Sequence, residues 1–172
     1  MRSIPLALCG VLACRAGAER PPAEGTLQAS LRDSAGEARF SAPAEARWCA
    51  ADTVLEIIAV RNDSAVGIAL FPRDSLRLEG YPIFQAGVFA PWRPQATAGL
   101  RLFRANDLRG YVSAWGRVEI TQLSGDRVSG TLDLHVKAVG TADSLQLTGG
   151  FTGVPVRPAA RPCGRANKPA TG

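Results

Sequence analysis

The chain has one histidine, one methionine and two lysines (Lys137 and Lys168) among its 172 residues. A single histidine leaves no His-rich metal centre, and a structural zinc site wants about four ligands. No stretch approaches the ~20 consecutive apolar residues of a membrane-spanning helix. No window carries a helical period of apolar residues, which argues against an α-helical fold. The Gly-x-Ser-x-Gly pattern is absent, and with it the strand-turn-helix elbow that presents a hydrolase serine. Lysine is so scarce that the formal net charge of +5 rests almost wholly on arginine. Those arginines are scattered through the chain, and several lie near its end (Arg157, Arg161, Arg165). No Lys/Arg cluster is interleaved with aromatics. Nucleic-acid binding needs a continuous positive face, so no nucleic-acid partner is expected.

What is present is a folded chain. Hydrophobic residues make up 46 % and charged residues 20 %, too apolar for disorder, and the length suits one domain. Met1-Arg2-Ser3 carries a positive charge, and an apolar run from Ile4 to Ala13 follows, broken by Pro5 and Gly10. That is the layout of a secretory signal peptide. Val11-Leu12-Ala13-Cys14 resembles the bacterial lipobox, in which the cysteine receives lipid. Ala16-Gly17-Ala18 fits the ordinary cleavage rule and makes simple secretion the alternative. Leu6-Ala7-Leu8-Cys9 is a poorer lipobox, because Leu8 is bulky where a small residue is needed. The expected organisation is a signal peptide over 1–13, a flexible tether over 14–25, a β domain over 26–156 and a Pro/Ala/Arg-rich tail over 157–172. The expected location is the outer membrane or periplasm, with the membrane itself as partner through a lipid on Cys14.

Removal of residues 1–13 leaves Cys14, Cys49 and Cys163. With Cys14 lipidated, Cys49 and Cys163 form the one remaining pair. Export would expose them to oxidising conditions, and a bridge would pin the tail to the domain. Two free buried thiols are the alternative. No metal and no cofactor are expected.

Strand signals dominate the rest. Thr26–Arg32 and Ala38–Ala42 alternate, and Thr53–Arg61 and Ala65–Phe71 flank the turn cluster Asn62-Asp63-Ser64. Ser75–Leu78 reads as a further short strand, and Thr97–Phe103 alternates again. Gly80–Ala96 reads as one irregular connection, with Pro82, Pro91 and Pro94 among aromatics. The last third is clearest. Arg117–Leu123, Val128–Val139 and Leu145–Val154 are joined by short polar turns and should form an antiparallel meander. Val118, Ile120 and Gln122 share one side of the first of these strands. Leu132, Leu134, Val136, Leu145, Leu147 and Phe151 should point inward, and Thr131, Asp133, His135 and Lys137 outward. The fold class is all-β, an antiparallel β-barrel or β-sandwich with a C-terminal three-strand meander.

The order of features is similar to that of uncharacterised bacterial envelope lipoproteins with a small antiparallel β domain. Ala46-Arg47-Trp48, the step Gly80-Tyr81-Pro82-Ile83, Trp115-Gly116-Arg117-Val118-Glu119-Ile120-Thr121, Val128-Ser129-Gly130-Thr131-Leu132 and Leu147-Thr148-Gly149-Gly150-Phe151 carry the resemblance. It covers about residues 26–156 and consists of structural motifs. It implies export and an all-β fold, and brings no catalytic residue with it. Leu132 stands where the family pattern has Phe.

Catalytic candidates are weak. His135 shares a strand face with Asp133, but side chains two apart on a strand lie about 6.5–7 Å apart, too far for a direct hydrogen bond. Gly149, Gly150 and Gly153 precede no helix, so they make no phosphate cradle. The expectation is therefore a non-catalytic binding or structural role, with an envelope protein as partner. Tyr81, Phe84, Phe89 and Trp92 suggest the alternative, a lid over a barrel cavity that carries a small apolar ligand. A hydrolase is the weaker alternative.

Overall fold

Alternation of apolar and polar residues sets every wall of the molecule. The computed structural model describes residues 24–84, 92–104, 107–160 and 163. The described residues form nine strands: β1 (Thr26–Asp33), β2 (Gly36–Cys49), β3 (Val54–Arg61), β4 (Ser64–Phe71), β5 (Gly80–Pro82), β6 (Gln95–Arg104), β7 (Asp107–Ser124), β8 (Arg127–Ala138) and β9 (Ser144–Pro158). On β8, Val128, Gly130, Leu132, Leu134, Val136 and Ala138 are buried, while Thr131, Asp133 and Lys137 between them are exposed. Such a strip can face a core on one side only.

Eight strands close on one another. β1, β2, β3, β4, β6, β7, β8 and β9 each pair antiparallel with the next, and β9 returns antiparallel to β1. The result is a closed up-and-down barrel, not a sandwich. The β7–β8–β9 meander is present with the expected inward set buried. Closure removes the exposed sheet edges that a sandwich would leave. The inside is apolar and much of the outside is charged, the reverse of a water-filled membrane barrel.

The middle of the barrel is occupied by its own side chains. Leu27, Ala46, Ile57, Val66, Ala96, Val118, Leu134 and Leu147, one from each barrel strand, are essentially inaccessible to solvent. A residue lining a water-filled space would show surface to it. The inward set mixes alanines at 42, 44, 46 and 59 with larger residues such as Phe40 and Phe151, the small-with-large filling that a narrow barrel requires.

Strand β5 lies outside this ring. β7 is 18 residues long and outlasts β6. Its first part pairs with Gly99–Arg104, and Arg117–Glu119 pair instead with Gly80–Pro82. This corrects two readings from sequence. Ser75–Leu78 is not a strand: Leu78 is exposed, and Asp74 and Ser75 form a local turn in which the Asp74 carboxylate accepts from the Ser75 amide. The strand comes later, at Gly80, and the connection is interrupted by it. Gln122 does not join Val118 and Ile120 inside, because a bulge between Ile120 and Gln122 turns it outward. β9 also runs on to Pro158. Past Thr26 the first strand has ended, so Val156–Pro158 pair directly, in parallel, with Ala46–Trp48.

Candidate functional site

The outer wall of β7 and β8 brings aromatic, charged and hydroxyl side chains together. Its geometry starts from a bulge. Tyr111 and Ser113 point inward, and so do Val118 and Ile120. Strict alternation cannot connect an odd-numbered set to an even-numbered one. The ladder accommodates the change by pairing Ser113 with Val136 and then Trp115 with His135, leaving Ala114 as the extra residue. A bulge of this kind re-aims the side chains beyond it. Here it sends Trp115 outward.

Trp115 is 57 % exposed. Its ring stacks on that of His135, with centroids 3.4 Å apart and planes 14° from parallel. His135 thus covers one face of the indole. Next to the indole, Gly116 adopts φ +128°, a conformation that side chains rarely take. A Cβ there would run into the Asp133 carbonyl oxygen, so β7 and β8 approach closely only because Gly116 has no side chain.

A cleft of about 260 Å³ opens beside the stack, lined by Trp115, Arg117 and Glu119 from β7 and by Thr131 and Asp133 from β8. Gly116 and Leu132 complete its lining. The Asp133 carboxylate accepts a hydrogen bond from the Gln146 amide at 3.1 Å, which fixes its orientation. The Arg117 guanidinium lies across Gly80 of β5, where an added Cβ would stand 2.6 Å from Nε. No ion pair among the described residues engages Arg117 or Glu119.

Asp133 and His135 therefore share a face, as alternation requires, and each has a different neighbour. Asp133 is held by Gln146 and His135 lies against Trp115. This is not the geometry of a proton relay, in which the carboxylate holds the imidazole and the imidazole reaches a nucleophile.

The other residues singled out from sequence fall in different places. Cys49 and Cys163 are joined by a disulfide with Cα atoms 5.8 Å apart. Cys49 faces outward at the end of β2 and is nonetheless buried. The Ala159 amide donates to the Trp48 carbonyl and brings the chain toward it. Glu56 lies beside the bridge: its carboxylate and both sulfurs are within 4.8 Å of one another. Bridged sulfurs offer no thiolate to a metal. Cys14 and Phe89 lie outside the described residues. The remaining aromatics do not form one cluster. Tyr81 is 0 % exposed and belongs to the core, Phe84 meets Phe71 edge-to-face at 5.6 Å, and Trp92 is 70 % exposed. Burial pushes the Tyr81 hydroxyl up to about 12, and the nearby Glu79 carboxylate adds to the effect.

A second, shallower groove of about 300 Å³ crosses β3, β4 and β6, with Glu56, Ile58, Gly67, Ala69, Thr97 and Gly99 along it. Glu56 and Thr97 supply its polar side chains, and no aromatic ring lines it.

Sequence reasoning missed Trp115 as a site residue. The signal was present: the inward set changes from odd to even between Ser113 and Val118, which demands a bulge beside the one tryptophan in that strand. No protein-family model, no curated protein and no solved structure matches the chain.

Proposed function

We propose that the chain is an exported envelope protein, tethered by lipid on Cys14, whose barrel binds its target on the outer wall without catalysing a reaction. The observation that carries the binding role is the Trp115–His135 stack beside a cleft of charged and hydroxyl side chains. Tryptophan is enriched at binding interfaces, and an indole held by a stacked neighbour presents a fixed apolar face there. The filled middle of the barrel favours this reading over a carrier of an apolar ligand. The Cys49–Cys163 bridge supports export, since structural disulfides persist in oxidising compartments. The lipobox-like Val11-Leu12-Ala13-Cys14 supports the tether.

Two measurements test the reading. Cells fed a palmitate analogue should label the wild type and not Cys14→Ser; label that survives the substitution removes the tether from Cys14, and an unlabelled wild type leaves secretion. The unlipidated full chain carrying Cys14→Ser should then co-sediment with isolated envelopes, and addition of Trp115→Ala should release it. Equal sedimentation of the two proteins, or none of either, would refute binding through this wall.

A further inference from the structure

The cleft beside Trp115 is specific enough in its chemistry to name a ligand class. We propose that it binds an uncharged oligosaccharide, with a pyranose ring stacked on the open face of Trp115 and its hydroxyls held by Arg117, Glu119, Thr131 and Asp133. The inference rests on the outer-wall binding role argued above and narrows it.

Four ligand classes compete for such a cleft. An anion, such as a phosphate group, is disfavoured by charge. Two carboxylates, Glu119 and Asp133, line the cleft against one guanidinium, and Gln146 beside them is neutral. A purely apolar ligand would strip water from Arg117, Glu119 and Asp133 and return nothing to them, which is costly. A folded protein partner needs about 800 Å² on each side for a stable standard interface. The cleft, at about 260 Å³, lies just below the usual range for small-molecule pockets, roughly 300–1,000 Å³, and suits one or two sugar rings.

A sugar meets every feature. A pyranose has an apolar face of C–H groups and a rim of hydroxyls that both donate and accept. The indole supplies the flat apolar partner for the face. With His135 behind it the ring is held against the wall and pre-oriented, so little rotamer freedom is lost on binding. For the rim, Glu119 and Asp133 accept, Thr131 does both, and Arg117, whose guanidinium rests over Gly80 in the free protein, donates by swinging toward the ligand. Asp133 is already oriented by Gln146. Arg117 and Glu119 have no ion-pair partner among the described residues, so a ligand takes nothing from the fold. Gly116 and Leu132 form the base of the cleft, where β7 and β8 approach closely. All these groups stand on strands of one sheet, which holds their spacing better than loops would.

The test uses the full chain carrying Cys14→Ser and isothermal titration calorimetry with tetramers of N-acetylglucosamine, glucose and galactose, and with inorganic phosphate. At least one tetramer should bind saturably, with Kd near or below about 1 mM, and phosphate should not. Trp115→Ala and Asp133→Ala should each weaken binding tenfold or more. Trp115→Phe should retain part of it, and Trp92→Ala, at an exposed tryptophan outside the cleft, should leave it unchanged. Circular dichroism of each variant excludes loss of the fold. The proposal is overturned if no tetramer binds, if phosphate binds in their place, or if Trp115→Ala binds as the wild type does. Trp115-dependent sedimentation with envelopes but no sugar binding would overturn the glycan assignment alone. Sugar binding without such sedimentation would overturn the envelope-binding role and leave the cleft a sugar site.

Discussion

The His135 imidazole lies flat against the indole of Trp115, 3.4 Å from it across the β7–β8 ladder. The pair is cross-strand and sits on the outer face, so it stabilises the ladder from the solvent side. An aromatic pair of this kind contributes about 0.5–1.5 kcal/mol beyond its buried area. Trp115→Ala should therefore lower stability by roughly that amount and leave the barrel folded. The imidazole protons of His135, the one histidine in the chain, should be shifted strongly upfield in the NMR spectrum by the indole ring current. That shift should vanish in Trp115→Ala. A histidine spectrum that does not change with the substitution would show that the two rings do not stack in solution.

The barrel wall was legible wherever alternation ran unbroken. Leu132, Leu134 and Val136 against Thr131, Asp133 and Lys137 gave the face of β8, and Ser124-Gly125-Asp126 gave the turn before it. The closure of β9 on β1 was not legible. Nothing local in Leu27–Leu31 announces that Phe151–Leu147 will pair with it, since the two segments are more than a hundred residues apart. Barrel and sandwich therefore stayed open. β5 was misplaced because three residues are too few to show a period. Tyr81 was read as a lid aromatic from its proline-rich surroundings, whereas register with Val118 carries it into the core. The cleft was hidden for a different reason: it exists only after the bulge at Ala114 has turned Trp115 toward His135, a tertiary event that alternation alone describes as an interruption.

The glycines of the chain divide into those the packing needs and those a turn needs. At Gly116 both backbone conformation and space forbid a side chain, because φ is +128° and the Asp133 carbonyl blocks a Cβ. Gly116→Ala should cost about 2–4 kcal/mol and widen the β7–β8 contact beneath Trp115. Gly125, in the β7–β8 turn, has φ +58° with nothing within 4 Å of a Cβ. Gly125→Ala should cost only about 1–2 kcal/mol, the left-handed penalty of an ordinary residue. Urea denaturation of the two variants checks the ordering. Equal losses would mean that the close approach of β7 and β8 at Gly116 relaxes freely.

The Cys49–Cys163 bridge closes a loop across 114 residues of sequence. Cross-linking a loop of that size removes much entropy from the unfolded chain, about 4–5 kcal/mol in the chain-entropy picture, and loss of a native bridge costs about 2–5 kcal/mol in practice. The double variant Cys49→Ser/Cys163→Ser should lose stability within that range. The local consequence is more specific. Val156–Pro158 are held to β2 by a short parallel pairing, followed by the Ala159-to-Trp48 bond. Without the bridge the Arg157 and Ala159 amides should exchange with solvent faster than those of β8. Exchange that accelerates evenly over the whole barrel would show that the bridge acts only on the unfolded state.

Tyr81 carries an alkaline dependence that can be isolated. Its side chain is buried, the Arg77 amide donates to its hydroxyl at 3.4 Å, and burial raises the hydroxyl to about 12 from an ordinary value near 10. Between those values the unfolded chain gives up the proton and the folded chain keeps it. The folded state then binds more protons, so stability falls as pH rises. The contribution is complete below about pH 10 and is lost progressively toward pH 12, with a total of up to about 2–3 kcal/mol. Tyr81→Phe keeps the ring in the core and removes the ionisation. The difference in unfolding free energy between wild type and Tyr81→Phe should be constant from pH 7 to about 9.5 and then shift against the wild type as Tyr81 begins to ionise in the unfolded state. Denaturant curves at several pH values measure that difference directly. A difference that stays flat through pH 12 would mean that the Tyr81 hydroxyl reaches water in the folded barrel.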